Sequence, residues 1–453
     1  MRPSSDLLLD TIAAPATPAG RSALALLRIS GSETVRILAA VTGRKKPFAP
    51  RRATLVTFRA DAGEALDRGL LTFFPAPGSY TGEDVGELSV HGSPAVTARL
   101  LKALLSAGAR LARPGEFTER AFHHGKMDLL RAEAVSDLIE ARTGAAARAS
   151  ARRLEGALSA RLSAVREDLL DAAARLSAVV DFSEDVGEAV PSSVLAQLSG
   201  AAEKLSRLSA TYETGRLLSA GCRVAILGRP NAGKSTLFNA LAGSARAIVT
   251  EVPGTTRDTL EAIVDIQGIP VAIVDTAGLR ESEDIVERIG IERARREGET
   301  ADAILYVFDA AEGWTSEDAA AVASLDGAPV CLVGNKIDRV GSAPLAGPPG
   351  AAFLCGLSPD SGEKLSALLA SRLATGIESE NASEVLGSLR QRELVDRAGE
   401  GASRALSALV AGVSPEYAAT HVVAALDALS DVFGETTSEA VLQRIFSTFC
   451  IGK

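Results

Sequence analysis

The chain has few cysteines, and none is arranged for metal binding or cross-linking. Only four of its 453 residues are cysteine, at Cys222, Cys331, Cys355 and Cys450. No two of them form a C-x-x-C pair, which argues against a cysteine zinc site and against a disulfide framework. So few thiols suit a reducing compartment, and we expect a cytoplasmic location.

The sequence also lacks long apolar runs and an excess of positive charge. No run approaches the ~18 apolar residues of a membrane span, and residues 1–10 lack a signal-peptide pattern, so we expect no membrane association. The chain has 57 acidic and 48 basic residues, for a formal net charge of −9. Bulk electrostatic binding of nucleic acid needs a basic protein, so any RNA contact must be local or shared with a partner.

Aromatic residues are scarce, at 4% of the chain, whereas apolar residues reach 46%. That apolar content supports packed cores, and the abundance of alanine and leucine favours helices. The length predicts two to four domains.

A glycine-rich segment at residues 228–235 reads G-R-P-N-A-G-K-S and follows the apolar run 224–227. This order of strand, turn and helix is the context that a phosphate-binding loop requires. Its glycines let backbone N–H groups turn toward phosphates. Lys234 would contact the β- and γ-phosphates, and the hydroxyl of Ser235 would bind Mg²⁺. The alternative is a glycine-rich turn that binds nothing.

Four further segments, at residues 253–258, 275–278, 335–338 and 358–362, occur in the order expected of a GTPase. Thr256 would supply a second hydroxyl to Mg²⁺, and Asp275 would hold the ion through water. The N–H of Gly278 would meet the γ-phosphate. Asp338 would accept the N1 and N2 hydrogens of guanine, a donor pair that adenine lacks. Together with the loop, these segments predict GTP as the nucleotide.

Leu279 stands where many small GTPases have a glutamine that orients the attacking water. Leucine cannot hydrogen-bond to water, so the water must be positioned from elsewhere. An acidic segment follows, with carboxylates at Glu281, Glu283, Asp284 and Glu287. One of them is the physical candidate, and a solvated acidic loop is the open alternative.

The pattern along the chain predicts a multidomain α+β and α/β protein in four consecutive parts. Residues 1–122 have short strand patterns around a helix at 94–108, which predicts an α+β domain. Helical periodicity runs nearly unbroken over 128–182 and again over 195–218. We therefore predict a first helical part at 123–220, a P-loop α/β GTPase domain at 221–376 and a second helical part at 377–453. The later helices, at 386–411, 416–432 and 438–449, should pack on the earlier ones, so the GTPase domain is an insertion.

Several motifs outside the nucleotide segments are shared with a known family. They read D-T-I-A-A at 10–14, L-R-I-S-G at 27–31, Y-T-G-E-D-V at 80–85, R-P-G-E-F at 113–117, K-M-D-L at 126–129 and F-C-I-G-K at 449–453. With an inserted GTPase domain, this combination resembles the MnmE (TrmE) family of tRNA-modification GTPases over essentially the whole chain.

The resemblance implies a function and partners. Members act with a flavoprotein, MnmG (GidA), and add an aminomethyl or carboxymethylaminomethyl group to C5 of the wobble uridine of certain tRNAs. A tetrahydrofolate derivative (5-formyl or 5,10-methylene) supplies the carbon. Members form a homodimer through the N-terminal domain, which holds the folate site. The matching folate positions are Arg28, Glu87, Lys126 and Lys453, and Cys450 falls near the one-carbon chemistry.

The resemblance also implies a potassium-activated GTPase without an arginine finger. The K⁺ positions are Asn231, Thr250, Val252 and Thr255, the Mg²⁺ positions are Ser235 and Thr256, and the catalytic residues are Glu287 and Lys234. The implied nucleotide-binding set is Asn231, Ala232, Gly233, Lys234, Ser235, Thr236, Thr250, Glu251, Val252, Pro253, Gly254, Thr255, Thr256, Asp275, Thr276, Ala277, Gly278, Asn335, Lys336, Ile337, Asp338, Ser358, Pro359 and Asp360.

One departure from the family lies in the guanine loop, where Pro359 replaces the usual alanine. Proline has no N–H, so we expect the backbone contact to pass to Asp360. Two other functions stay open at this stage. One is a GTPase switch in RNA or ribosome assembly without its own tRNA chemistry, and the other is a stand-alone one-carbon transferase.

Overall fold

The computed structural model describes residues 10–60, 63–181, 191–244, 260–275, 301–325, 329–341, 344–373 and 384–453. They form two compact units: Met1–Ser136 with Arg153–Leu205 and Glu393–Lys453, and Asp137–Arg152 with Ser206–Arg392. The strands are β1 Ile12–Pro15, β2 Leu24–Ser30, β3 Thr54–Arg59, β4 Ala65–Phe74, β5 Val85–His91, β6 Arg110–Leu111, β7 Cys222–Gly228, β8 Leu260–Ile266, β9 Ile269–Asp275, β10 Ala303–Asp309, β11 Val330–Asn335 and β12 Ala352–Phe353.

The helices follow the same chain order. They are α1 Thr34–Thr42, α2 Pro94–Ser106, α3 Glu116–His123, α4 Leu129–Glu140, α5 Gly144–Glu155, α6 Ala157–Asp181, α7 Ser192–Ser209, α8 Tyr212–Ser219, α9 Lys234–Ser244, α10 Ser316–Ala323, α11 Ser361–Leu373, α12 Leu389–Val410, α13 Pro415–Phe433 and α14 Glu439–Ser447.

The N-terminal region forms a six-stranded sheet in the order β3-β4-β5-β2-β1-β6. All neighbours are antiparallel except β1 and β6. In β2 the side chains of Ala25, Leu27 and Ile29 are buried. This alternation directs one face of the sheet into a core with Leu38 of α1 and Leu100 of α2. The predicted α+β fold is confirmed.

Helices from before and after the nucleotide domain share one core. Helix α6 packs along α13, and its buried residues recur every three or four positions, as at Leu162, Val165 and Leu169. Arg166 of α6 pairs with Glu435, just after α13, at 2.6 Å. The predicted discontinuous helical domain is therefore confirmed, while the boundaries at 122, 220 and 376 stay predictions.

The nucleotide domain contains a second six-stranded sheet, in the order β12-β11-β10-β7-β9-β8. Its strands are parallel except for the antiparallel pair β8 and β9. Strand β7 is an almost continuously buried run, as expected for a parallel strand covered on both faces. Helices α9 and α11 pack together and contribute to the core on one face. This is the predicted α/β fold.

Two helix predictions were wrong in detail. The segment expected to be nearly unbroken over 128–182 is three helices. Thr143 starts α5 by accepting a hydrogen bond from the N–H of Ala146, and Gly156 separates α5 from α6 with a left-handed φ of 100°. The segment over 195–218 is two helices, α7 and α8. Nowhere in the described part of the chain is a helix both long and apolar enough to span a membrane.

Candidate functional site

The phosphate-binding loop connects β7 to α9 and has backbone conformations that favour glycine. The φ angles are 141° at Gly228, 62° at Asn231 and 95° at Gly233. A Cβ atom on Gly233 would lie 2.2 Å from the Asn335 amide nitrogen, and one on Gly228 would lie 2.0 Å from the carbonyl oxygen of Val307. Both positions therefore require glycine, in conformation and in space.

Lys234 is the first residue of α9 and is buried, with 9% of its surface exposed. Its ammonium group donates to the carbonyl oxygens of Gly228 at 2.8 Å and Arg229 at 2.9 Å. Ser235 is exposed and Thr236 is half-buried in the same turn. The loop therefore has a positive charge, a hydroxyl and a helix N-terminus close together, which suits a phosphate and its metal ion.

Asn335, at the end of β11, joins the phosphate loop to the segment predicted to contact guanine. It is 2% exposed. Its amide nitrogen donates to the carbonyl of Ala232 at 2.9 Å, and its amide oxygen accepts from the N–H of Gly356 at 2.9 Å. This side chain therefore fixes the distance between two loops that lie far apart in sequence.

Lys336 and Asp338 follow Asn335 at the same edge of the sheet. The backbone of Lys336 is left-handed, with φ 63°, and its ammonium pairs with Asp309 of β10 at 2.7 Å. Burial raises the pKa of Asp309, but hydrogen bonds from Lys336 and the N–H of Ala311 outweigh it, and the pKa is lowered. Asp338 lies exposed in a 3₁₀ turn with Ile337.

The segment after Gly356 forms a tight turn before α11. The N–H of Ser358 donates to the carbonyl of Cys355 at 2.9 Å, and its hydroxyl donates to the Asp360 carboxylate. Hydrogen bonds from Lys364 and Ser358 lower the pKa of Asp360. Pro359 is exposed between them. This turn follows Gly356 in sequence. Because Asn335 bonds to both Gly356 and Ala232, it links the turn to the phosphate loop.

The structure adds Arg229, which the sequence argument did not single out. Its guanidinium lies 3.4 Å from Glu312, 3.4 Å from Glu317 and 3.9 Å from Asp318. Asp318 is fully buried and accepts from the hydroxyl of Tyr306 at 3.0 Å. Burial and the nearby Asp318 raise the pKa of Tyr306. The sequence signal that could have located Asp318 is the capping box that it forms with Thr315 at the start of α10.

Several predicted nucleotide residues lie outside the described part of the chain. They are Thr250, Glu251, Val252, Pro253, Gly254, Thr255, Thr256, Thr276, Ala277, Gly278 and Glu287. Asp275 ends β9, but its side chain is also outside the description. The roles assigned to these residues stay predictions.

A second site surrounds Arg28, which lies directly opposite Glu87 in the pairing of β2 with β5. Its Nε and Nη2 atoms donate to Glu87 Oε1 at 3.2 and 2.8 Å. The guanidinium also lies 5.3 Å from the Tyr80 ring centre and 5.7 Å from that of Phe117. Two aromatic faces and a carboxylate therefore flank one cation.

The C-terminal tail closes on this site. The carbonyl of Gly452 accepts from Arg28 Nη1 at 3.4 Å, and the carbonyl of Lys453 accepts from the N–H of Phe117 at 3.2 Å. Burial and the charge of Arg28 lower the pKa of the half-buried Lys453, while the charge of Glu87 opposes them. Arg28, Glu87 and Lys453, predicted from separate motifs, are thus brought together.

The other two residues predicted for this site are placed differently. Lys126 is exposed and donates to the carbonyl of Pro77 at 2.9 Å, on the loop between β4 and β5 that also carries Tyr80. Cys450 is an exposed free cysteine whose carbonyl accepts from the N–H of Gly115 at 3.5 Å.

A largely parallel sheet with a phosphate loop after β7 and an Asn-Lys-Ile-Asp segment after β11 defines the P-loop GTPase class. In this chain the GTPase domain is inserted into a helical domain. Two family models match the chain: "MnmE helical domain" over residues 129–450 and "GTP-binding protein TrmE N-terminus" over residues 11–126. The chain belongs to the MnmE family.

Three relatives illustrate the similarity, and each has the name "tRNA modification GTPase MnmE". The chain is 40% identical to the protein of Aquifex aeolicus (strain VF5), with 98% of this chain and 100% of the relative covered. It is 43% identical to that of Azoarcus sp. (strain BH72), with 98% of each covered. It is 41% identical to that of Laribacter hongkongensis (strain HLHK9), with 98% and 99% covered.

Proposed function

We propose that this protein hydrolyses GTP and modifies tRNA. With a flavoprotein partner of the MnmG (GidA) type, it adds an aminomethyl or carboxymethylaminomethyl group to C5 of the wobble uridine. A tetrahydrofolate derivative supplies the carbon. The proposal rests on the presence of two preformed sites in one chain. One is the pair of nucleotide loops that Asn335 joins. The other is the site of Arg28 and Glu87, which the C-terminal tail covers.

The nucleotide site supports the GTP part of the proposal. Its backbone is left-handed at Gly228, Asn231 and Gly233, and Cβ atoms on the two glycines would collide with Val307 and Asn335. Ser235 and Thr256 would hold Mg²⁺, and Asn231 with the backbone of 250–255 would hold K⁺. A monovalent cation there supplies positive charge against the phosphates in the transition state. Glu287 would orient the attacking water.

The second site fits a folate in its chemistry. Arg28 pairs with Glu87 at 2.8 Å and so orients its carboxylate, whereas the exposed Lys126 carries a positive charge that suits a glutamate tail. The Glu87 carboxylate, 28% exposed, suits a pterin edge with adjacent donors. The half-buried Tyr80 offers a ring face, and Lys453 is a second cation close to Arg28 and Glu87. Cys450 belongs to the C-terminal tail that closes on this site, where the one-carbon transfer would occur.

The partners and compartment follow from the same proposal. Relatives are named for tRNA modification, whereas this chain has a net charge of −9. A tRNA would therefore meet a local basic surface or one supplied by the flavoprotein. We propose a homodimer formed through the N-terminal domain and a cytoplasmic location.

The test is analysis of wobble-uridine nucleosides, by mass spectrometry, in tRNA from cells lacking this protein. We expect the aminomethyl-type nucleosides to disappear and to return on complementation with the wild-type gene or with Arg36→Ala, an exposed arginine of α1. Arg28→Ala should fail to restore them. Normal modification in the deleted cells would contradict the proposal and favour a GTPase switch in RNA or ribosome assembly.

A further inference from the structure

Three potential metal ligands meet between α3 and the last helix, α14. They are Glu119 and His123 of α3 and Glu439, the first residue of α14. One ligand atom from each lies within 4.8 Å of those from the other two. Glu119 and His123 are four residues apart, so they share one face of α3. The cluster joins a helix of the N-terminal region to the helix that precedes the C-terminal tail.

The three side chains of the cluster differ in their exposure to solvent. Glu119 is 5% exposed, His123 is half-buried, and Glu439 is exposed. An ion between them would have an inner carboxylate and an open side toward solvent. Arg113 donates to Glu119 Oε2 at 3.0 Å and so orients the inner carboxylate.

The charges of the cluster favour a cation. Burial raises the pKa of Glu119, and the charges of Glu116 and Glu439 raise it further, against the opposing charges of two nearby arginines. Burial lowers the pKa of His123 against the opposing charge of Glu439. A neutral imidazole is the form that binds metals. A bound cation would offset the charges of the two facing carboxylates.

We propose that Glu119, His123 and Glu439 bind one divalent transition-metal ion, and that Zn²⁺ suits this ligand set best. Zinc binds histidine nitrogen and carboxylate oxygen at ~2.0–2.2 Å, so ligand atoms in its tetrahedral geometry lie ~3.3–3.6 Å apart. From the 4.8 Å limit observed, the side chains need to close by ~1.5 Å at most, which rotamer adjustments can supply. Mg²⁺ and Ca²⁺ prefer oxygen ligands alone, and the imidazole disfavours them. A water molecule would complete the coordination.

The ion would stabilise the surroundings of the C-terminal tail. Phe446 of α14 and Phe449 just after it pack with Leu129 and Leu442 in one buried cluster. At the other end of α3, the N–H of Phe117 donates to the carbonyl of Lys453. Helix α3 would then be tied to the C-terminal region at both ends, by the tail at its start and by the ion at its end. This role is independent of GTP and of tRNA.

The test is titration of chelator-treated, full-length protein with ZnCl₂ by calorimetry, together with metal analysis after dialysis. We expect one Zn²⁺ per chain. His123→Ala and Glu439→Gln should each weaken binding by at least ~10–100-fold, the loss typical of removing even an outer partner of a metal ligand. Glu439→Gln changes an exposed side chain to one of equal size, so its fold should persist. Zn²⁺ should also raise the melting temperature of the wild type, and Co²⁺ should give a visible d–d absorption.

Two control variants separate this site from other zinc-binding groups. His91→Ala removes an exposed histidine paired with Asp67 on β4, and Cys450→Ser removes the exposed thiol of the tail. Both should bind Zn²⁺ as the wild type does. The proposal is overturned if His123→Ala and Glu439→Gln bind as tightly as the wild type, if the wild type retains no zinc, or if only Cys450→Ser loses it.

Discussion

The side-chain amide of Asn335 donates a hydrogen bond to the backbone carbonyl of Ala232 at 2.9 Å. Its oxygen accepts from the N–H of Gly356 on the opposite loop. One buried side chain therefore sets the spacing between the phosphate loop and the turn before α11. The binding energy of a nucleotide depends on this spacing, because a ligand that bridges preformed loops does not have to order them.

Asn335→Ala should destabilise the nucleotide domain and weaken nucleotide binding together. The carbonyl of Ala232 and the N–H of Gly356 would lose their partner in a buried place, which costs ~1–3 kcal/mol. Chemical denaturation and GDP titration measure the two effects. Asn239→Ala, on the exposed face of α9, is the matched control and should change neither. Normal GDP affinity in Asn335→Ala would show that the bridge does not organise the site.

Asp338→Asn should change base preference and leave stability intact, because Asp338 is exposed in its 3₁₀ turn. The carboxylate would accept two hydrogens from guanine, and hydrogen bonds to charged groups contribute ~1.5–3 kcal/mol. GTP affinity should fall ~10–100-fold, while xanthosine triphosphate, whose C2 oxygen accepts from the new amide, should bind better. Glu363→Gln, an exposed change on α11, is the control. If Asp338→Asn still prefers GTP, the assignment is wrong.

The parts predicted well from the sequence are those set by local pattern. The phosphate loop is readable because strand, glycine turn and lysine are adjacent in the chain. The break at Gly156 was missed because apolar residues continue at helical spacing across it, and periodicity does not register a left-handed φ.

The parts that were missed depend on strand order and register. The pairing of Lys336 with Asp309 arises because β10 and β11 are parallel neighbours that place Asp309 opposite Asn335. The antiparallel register of β2 and β5 likewise sets Arg28 beside Glu87, two residues that the family resemblance assigned to one site without predicting their contact. No spacing in the sequence specifies which strands become neighbours, so such contacts follow only from the folded sheet.

The Asp309 and Lys336 pair should make stability depend on pH at the acidic end. The folded-state pKa of Asp309 is below its ordinary value of 3.8. The contribution of its ionised form to the free energy of unfolding is therefore present above the ordinary pKa and is lost as pH falls through the folded-state pKa. The unfolding free energy lost in Asp309→Asn should be constant above about pH 5 and should shrink below about pH 4. In a Lys336→Met background this pH dependence should shrink to the part that the N–H of Ala311 and the charge of Arg339 maintain. An unchanged dependence there would assign it to another group.

Glu287→Ala tests the carboxylate that we propose to orient the attacking water. Many small GTPases use a glutamine for this, at the position that Leu279 occupies here. Loss of a group that orients or activates water should slow single-turnover GTP hydrolysis by ~10²–10⁴-fold while nucleotide affinity is kept. Glu283→Ala, from the same acidic segment, should hydrolyse GTP at the wild-type rate. The reverse pattern would move the catalytic role to Glu283, and normal hydrolysis in both would leave the segment as a solvated acidic loop.

The role proposed for Asn231 in holding K⁺ can be tested by removing its side-chain amide while keeping the loop conformation. The backbone there is left-handed, with φ 62°, so alanine would add strain, whereas Asn231→Gly keeps the conformation and removes only the amide. Wild-type hydrolysis should be faster in KCl than in NaCl at equal ionic strength. Asn231→Gly should be slow in both salts, with the difference between them lost, because the amide oxygen no longer helps to hold K⁺ against the phosphates. Equal wild-type rates in the two salts would rule out a specific monovalent cation, and positive charge at the phosphates would then have to come from Lys234 and Mg²⁺ alone.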